Sequence, residues 1–334
     1  MKLFKGGTIV KSTFEAHPLL KNSHLQTLWP TLLRASPKIK TIRERLLTLD
    51  QDFIDIDWYE KESLPLVILI HGLASSSKAK YIMGLQSALA GKGFASVALN
   101  LRGCSGEPNI RVTGYHGGSS EDLNFLVATL RYRFPNRPIA AIGYSLGASI
   151  LLNWLSESAG QSELFAAITV SAPLQLDKAT ARLQQGFSKI YEQYLLTFMK
   201  WQQYKKNIKL YKKFEQHEKL PSLWNINTIF DFDEFITAPI HGYKGAEHYY
   251  NVCSTRQKLK LIQTPTLIIH AKDDPFIPPE IIPDEMELSN SVMMELAENG
   301  GHVGFISKNK NNQLSYWIET RAPYFLNQIL TNKD

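Results

Sequence analysis

Gly143-Tyr144-Ser145-Leu146-Gly147 sets one serine between two glycines, each two positions away. The apolar stretch "PIAAIGYS" precedes it, and the helix-forming "LGASILLNWLSES" follows. A serine at such a strand-to-helix turn carries its hydroxyl at the strand's C-terminal end. Side chains at the two glycine positions would collide as the chain doubles back. The hydroxyl becomes a nucleophile when a base takes its proton, usually a histidine oriented by a carboxylate. The helix N-terminus then offers amides to a developing oxyanion. Both partners follow in the chain order this arrangement requires, serine, then acid, then histidine. "LIIHAKDDPFIPP" brings Asp273 and Asp274 to the end of a buried strand, and "LAENGGHVGF" sets His302 on a glycine-rich loop after the next. In "ILIHGLASSS", the Leu73 amide would join that of Leu146 as an oxyanion hole. His71 there suits an imidazole that shapes the loop better than a base.

These residues need a scaffold, and the chain supplies one. Strands are expected over 64–72, 94–103, 138–145, 164–173, 264–275 and 291–301. Helices are expected over 79–93, 119–135, 146–158 and 311–330, the last broken near Pro323. Strands alternating with helices imply βαβ units and a mostly parallel sheet covered on both faces. Residues 42–60 read as two antiparallel strands before the first parallel one. Residues 174–250 break the alternation between two strands, which makes them an insertion over the C-terminal ends of the sheet.

Bulk properties agree with a globular domain. The 334 residues are 44% hydrophobic and 20% charged, and the two cysteines, Cys104 and Cys253, have no ligand-like spacing. The pattern fits a cytoplasmic protein. The longest apolar run near the N-terminus, "LPLVILI", is too short to span a bilayer. His17, His24, His241 and His248 lack metal-ligand spacing, so no metal or other cofactor is expected. Of the net charge of +6, residues 178–219 supply ten Lys/Arg against three Glu, a local +7, leaving about −1 for the rest.

Within that basic segment Leu183, Phe187, Ile190, Tyr191, Leu195, Phe198 and Trp201 recur at helical spacing, as one apolar face. Lys205, Lys206, Lys209, Lys212 and Lys213 follow. One reading is a cap helix packed on the sheet domain with its lysines solvated; the other is a helix resting on anionic lipid, a peripheral membrane contact. No nucleic-acid recognition motif accompanies the lysines. An aromatic cap beside a serine favours a small-molecule ester with an apolar acyl chain. Arg102, Tyr115 and His116 are candidates for substrate contact. "HPLLKNSHLQTLWP" reads as part of an N-terminal arm over the pocket.

The set HG, GYSLG, DDPF and GGHVGF resembles the α/β-hydrolase superfamily. "NLRGCSGEPN", "YHGGSSEDL", "FDEFITAPIHGY", "EHYYNVCS" and the arm make the chain similar to YheT-type esterases. These are relatives of ABHD1- and ABHD3-like lipases and of yeast medium-chain ethanol acyltransferases. The resemblance covers nearly the whole chain, most weakly about 175–225. It implies one α/β domain over 1–334, with an eight-stranded, mostly parallel sheet, an arm over about 1–40 and a helical cap over about 174–250. It also implies Ser145 as nucleophile, His302 as base and Asp274 as orienting acid. Asp274 is preferred to Asp273 because "AKDDPFIP" matches the family's G-x-x-D-x-x-x-P spacing, with Ala271 in the glycine place. The expected activity is hydrolysis of carboxylic esters of short- to medium-chain acids. The rivals are an acyltransferase or a phospholipase with the same triad. A dehalogenase would need an aspartate at 145, and a non-catalytic binding protein has no need of all three residues.

Overall fold

The computed structural model describes residues 3–59, 64–206, 222–309 and 311–331. In chain order, β1 (Thr8–Lys11) and α1 (Ser23–Leu32) come first. An antiparallel pair follows, β2 (Ile42–Leu47) and β3 (Phe53–Tyr59). Then the alternation begins: β4 (Leu66–Ile70), α2 (Lys80–Ala90), β5 (Ala95–Asn100), α3 (Glu121–Arg133), β6 (Ile139–Tyr144), α4 (Leu146–Glu157) and β7 (Ala166–Val170). A helical segment follows, with α5 (Leu176–Leu183), α6 (Ser188–Lys206) and α7 (Ala246–Cys253). The chain returns to β8 (Thr266–Ala271) and β9 (Val292–Ala297), a small hairpin of β10 (Ile306–Lys308) and β11 (Leu314–Tyr316), and α8 (Ile318–Thr331).

The main sheet has nine strands, ordered β1-β9-β8-β7-β6-β4-β5-β3-β2. It is parallel except at the β2–β3 and β3–β5 pairs. Nine corrects the expected eight. The addition is β1, whose short "TIVK" carries little pattern but pairs with β9 from Thr8↔Met293 to Lys11↔Leu296. Glu295 of β9 fixes the edge, accepting from Ser12 Oγ at 2.9 Å on one oxygen and meeting Arg321 Nε of α8 at 2.7 Å on the other.

The strands read as continuous apolar runs because both faces are covered. Leu66, Ile68 and Ile70 of β4 join a cluster with Leu123, Leu126 and Leu130 of α3 and Ile150, Leu151 and Leu155 of α4. Val67 and Leu69 join the other, with Ile82, Leu85 and Leu89 of α2 and Phe325 and Leu326 of α8. On the half-exposed hairpin, alternation reappears as cross-strand ion pairs. Arg43 faces Asp57 and Arg45 faces Asp55, each through two hydrogen bonds of 2.7–2.9 Å.

Two further expectations are corrected. The terminal helix begins at Ile318, not 311, because Leu314–Tyr316 pairs with Ile306–Lys308, and it runs through Pro323 unbroken. The proline lies in the helix's second turn and removes a single backbone donor there, while Phe325, Leu326 and Ile329 anchor the remainder. The single apolar face read over 183–201 is two faces. Tyr191, Leu195, Leu196 and Met199 turn inward, whereas Phe187, Ile190, Phe198 and Trp201 are exposed. Lys205 is described and exposed; Lys209, Lys212 and Lys213 and the side chain of Lys206 lie outside the described residues.

Candidate active site

β6 ends at Tyr144, and Ser145 takes φ 51° and ψ −121° before α4 begins at Leu146. A non-glycine residue there is strained, a cost of about 1–3 kcal/mol that the surrounding packing must offset. A Cβ on Gly143 would lie 2.5 Å from the Gly147 carbonyl oxygen, and one on Gly147 would lie 2.4 Å from that of His71. Backbone approach thus accounts for both glycines.

The three residues far apart in sequence meet here. His302 Nε2 lies 2.8 Å from Ser145 Oγ, and His302 Nδ1 lies 2.8 Å from Asp274 Oδ2. With the carboxylate accepting, the Nδ1 proton stays between them and Nε2 is free to receive the hydroxyl proton. Asp274 is buried, and its other oxygen accepts the Phe276 amide at 2.8 Å. Phe276 stacks on the imidazole, centroids 4.1 Å apart and planes 6° from parallel.

The His302 loop is strained at Val303 and Phe305, with φ 67° and 43°, and turns at Gly301, where glycine takes φ 58° freely. It is held from four sides. Asp273 Oδ1 accepts the Gly301 amide at 2.9 Å, Thr27 Oγ1 the His302 amide at 2.9 Å and Ser171 Oγ the Val303 amide at 3.0 Å. Gln26 of α1, fully buried, accepts from the Ile306 amide at 2.6 Å and donates to the carbonyls of Leu20 and Ile306 at 2.6 and 3.0 Å. Side chains at Gly301 and Gly304 would strike the α1 backbone, at 2.5 Å from Ser23 O and 2.1 Å from Gln26 O. The arm thus docks on the histidine loop. His24 Nδ1 also meets Tyr191 of α6 at 2.9 Å, and Tyr191 packs on Phe276 at 4.8 Å.

Beside the serine, the Gly72 amide donates to Tyr81 Oη at 3.0 Å and the Ala74 amide to Tyr115 Oη at 3.1 Å. Among the described residues, the Leu73 amide between them donates to no protein group, nor does that of Leu146, first in α4. His71 is fully buried, its Nδ1 donating to Gly72 O at 2.8 Å and its Nε2 accepting the Leu101 amide at 3.1 Å. Burial pulls its pKa down to about 4, so the ring stays neutral.

The substrate-contact candidates are engaged within the fold. Arg102 grips Asp122 with two bonds of 2.7 and 2.8 Å and reaches Asp50 at 2.7 Å. Tyr115, partly buried, holds the Ala74 amide, and desolvation of its hydroxyl raises its pKa well above the ordinary value. His116 accepts the Gly118 amide at 3.1 Å and is ringed by His241, Tyr243 and Tyr249; burial lowers its pKa to about 3. Among the described residues no group of three or more His, Cys, Asp or Glu could hold a metal ion. No described helix is long and apolar enough to cross a membrane.

Sequence reading passed over Thr27, Phe276, Tyr81 and the clamp role of Asp273. The signal available was the polar Gln26-Thr27 pair inside the apolar "HLQTLW".

A serine on an elbow after β6, facing loops that follow β8 and β9, is an arrangement shared with a known family. The family model for the α/β hydrolase fold matches residues 65–309, and this chain belongs to that family. Within it, the chain groups with the YheT type. It is 38% identical over 316 residues to "Putative esterase YheT" of Escherichia coli (strain K12), covering 93% of this chain and 92% of that one. It is 27% identical over 336 residues to Phospholipase ABHD3 of Mus musculus, covering 94% and 81%. Among solved structures, Pyrococcus furiosus esterase Pf2001 shares the fold, with TM-score 0.56 at 20% identity, over 88% of this chain and 94% of that one.

Proposed function

We propose that this chain is a carboxylic ester hydrolase that works through an acyl-enzyme on Ser145 and takes short- to medium-chain acyl groups. The observation that carries the reading is the continuous hydrogen-bonded line from Ser145 Oγ through His302 to buried Asp274. His302 Nε2 takes the Ser145 proton as Oγ attacks the ester carbonyl. The resulting oxyanion is held by the Leu73 and Leu146 amides. The imidazolium, stabilised by Asp274, returns the proton to the departing alcohol as the acyl bond to Oγ remains. Water then attacks that ester with His302 again as base, releasing the acid.

The acyl group would lie against the helical insertion, acting as a cap. Leu183, Tyr191, Leu195 and Met199 belong to one apolar cluster, against which Leu73 and Phe276 pack. That supports an apolar acyl chain over a sugar or peptide. The same acyl-enzyme given to an alcohol would make the chain an acyltransferase. Both cysteines are buried free thiols, which supports a reducing, cytoplasmic setting.

The test uses a fluorophosphonate label and p-nitrophenyl esters from acetate to laurate, with and without ethanol. Wild type should be labelled, and Ser145→Ala should lose label and at least about 10⁴-fold in turnover. Asp274→Asn should lose about 10⁴-fold in kcat, and Asp273→Asn far less. No label on folded wild type overturns the nucleophile. Equal losses for the two aspartate variants overturn the choice between them. Ethyl ester as the main product with ethanol present would replace hydrolysis by acyl transfer.

A further inference from the structure

α6 has two sides, and among the described residues only one is packed against the rest of the chain. Tyr191, Leu195, Leu196 and Met199 are buried toward the interior. The opposite side presents Ile190 at 59% exposure, Tyr194 at 62% and Trp201 at 51%, joined by Phe198 and Tyr204. Three- and four-residue steps keep these on one stripe. Tyr194, Phe198 and Trp201, with Gln193 and Thr197, line a shallow depression of about 340 Å³ open to solvent. Trp224, 56% exposed, extends the patch through Tyr204, ring centroids 5.9 Å apart.

Such a contiguous apolar stripe on a water-facing helix marks an interaction site. Charge chooses the occupant. Lys205 Nζ sits 5.6 Å from the Trp201 ring centroid, and Lys189 is exposed beside the stripe. The one acid of α6, Glu192, is buried, accepting the Ile229 amide at 2.9 Å. Against that single buried acid, α6 carries Lys189, Lys200 and Lys205 among its described side chains. A second copy would bring two such faces together against their own repulsion. An anionic surface would be drawn to the lysines while the aromatic rings enter the headgroup boundary, where Trp and Tyr are favoured.

We propose that the outer face of α6 is a docking surface for an anionic lipid bilayer, seated through Ile190, Tyr194, Phe198 and Trp201. The inner face of the same helix reaches Leu73 and Phe276, so a docked molecule would hold its cap against the lipid. This surface stands apart from the esterase reading, and its test needs no turnover.

The experiment is flotation of the full chain, in a Ser145→Ala background, with phosphatidylglycerol–phosphatidylcholine vesicles and with pure phosphatidylcholine vesicles. Binding is expected to the mixed vesicles alone and to weaken as salt is raised. Tyr194→Ser/Trp201→Ser should reduce the bound fraction about tenfold or more, and Lys205→Glu should reduce it by a few fold. Both variants change exposed side chains, and unchanged circular dichroism melts verify the fold. Equal binding to both vesicle types overturns the charge argument. No binding, or binding that the aromatic variant leaves intact, overturns the surface. A concentration-dependent dimer that Trp201→Ser dissociates, without vesicle binding, would assign the face to a second copy instead.

Discussion

Thr27 supports the backbone of a residue 275 positions away. Its hydroxyl oxygen accepts the His302 amide, and its own proton goes to Ser23 O at 2.8 Å. Thr27→Val keeps the shape and strands the His302 amide, a penalty of about 1–3 kcal/mol. That penalty falls on a loop already strained at Val303 and Phe305. We therefore expect kcat for a p-nitrophenyl ester to drop about tenfold or more with KM little changed. An unchanged kcat would show that the other three restraints suffice. The meeting of Ser145 and His302 is anticipated in sequence because an elbow needs glycines and a strand end needs a turn, both local demands; Asp274 rather than Asp273 at the His302 ring is anticipated only through the family resemblance. Thr27 is not legible, since its role depends on a contact that no local pattern encodes. The partners of Arg102 and His116 are hidden for the same reason: Asp122 for one and an aromatic ring cluster for the other lie in distant segments.

At the scale of elements, α1 is the instructive case. A ten-residue helix with Pro30 inside it has little stability alone. Its place is fixed by tertiary bonds, chiefly those of Gln26 to Leu20 and Ile306. Gln26→Leu fills the same space and leaves the Leu20 carbonyl and the Ile306 amide without partners, while the Ile306 carbonyl keeps the His17 amide. The expected loss is on the order of 3 kcal/mol, concentrated where the arm meets the histidine loop. Limited proteolysis should then cut within the arm well before the sheet, and ester turnover should fall with it. Cleavage no faster than in wild type would mean that the contacts of Thr27 with His302 and of His24 with Tyr191 hold α1 without Gln26. The alternating strands and helices from β4 to β9 are readable because each buries a long apolar run. β1 escapes because four residues on an edge bury too little to leave a pattern. The two sides of α6 escape because an exposed aromatic and a buried one look alike in sequence.

Across the whole molecule, ionisation ties these elements to pH. Buried His71 joins the end of β4 to the start of the loop after β5 by accepting the Leu101 amide, and it must stay neutral to do so. Its pKa is about 4 in the folded chain and 6.5 in the unfolded one. A depressed folded pKa means its contribution is complete above 6.5 and is lost as pH falls toward 4. Several acids pull the other way, since burial raises Asp233 to about 6 and raises Glu192, Asp273 and Glu319 as well. Total stability against pH therefore mixes opposing groups, and a difference isolates one. Unfolding free energies of wild type and His71→Asn, measured by urea between pH 7 and pH 4, share every other titration. The variant should be the less stable at pH 7, having lost the Leu101 bond. Its deficit should shrink on acidification by about 3 kcal/mol, the sum of roughly 1.4 kcal/mol per pH unit between the two pKa values. Parallel curves would mean that His71 takes up its proton equally in both states, and therefore that the β4–β5 end opens to water around a ring that the folded chain buries completely.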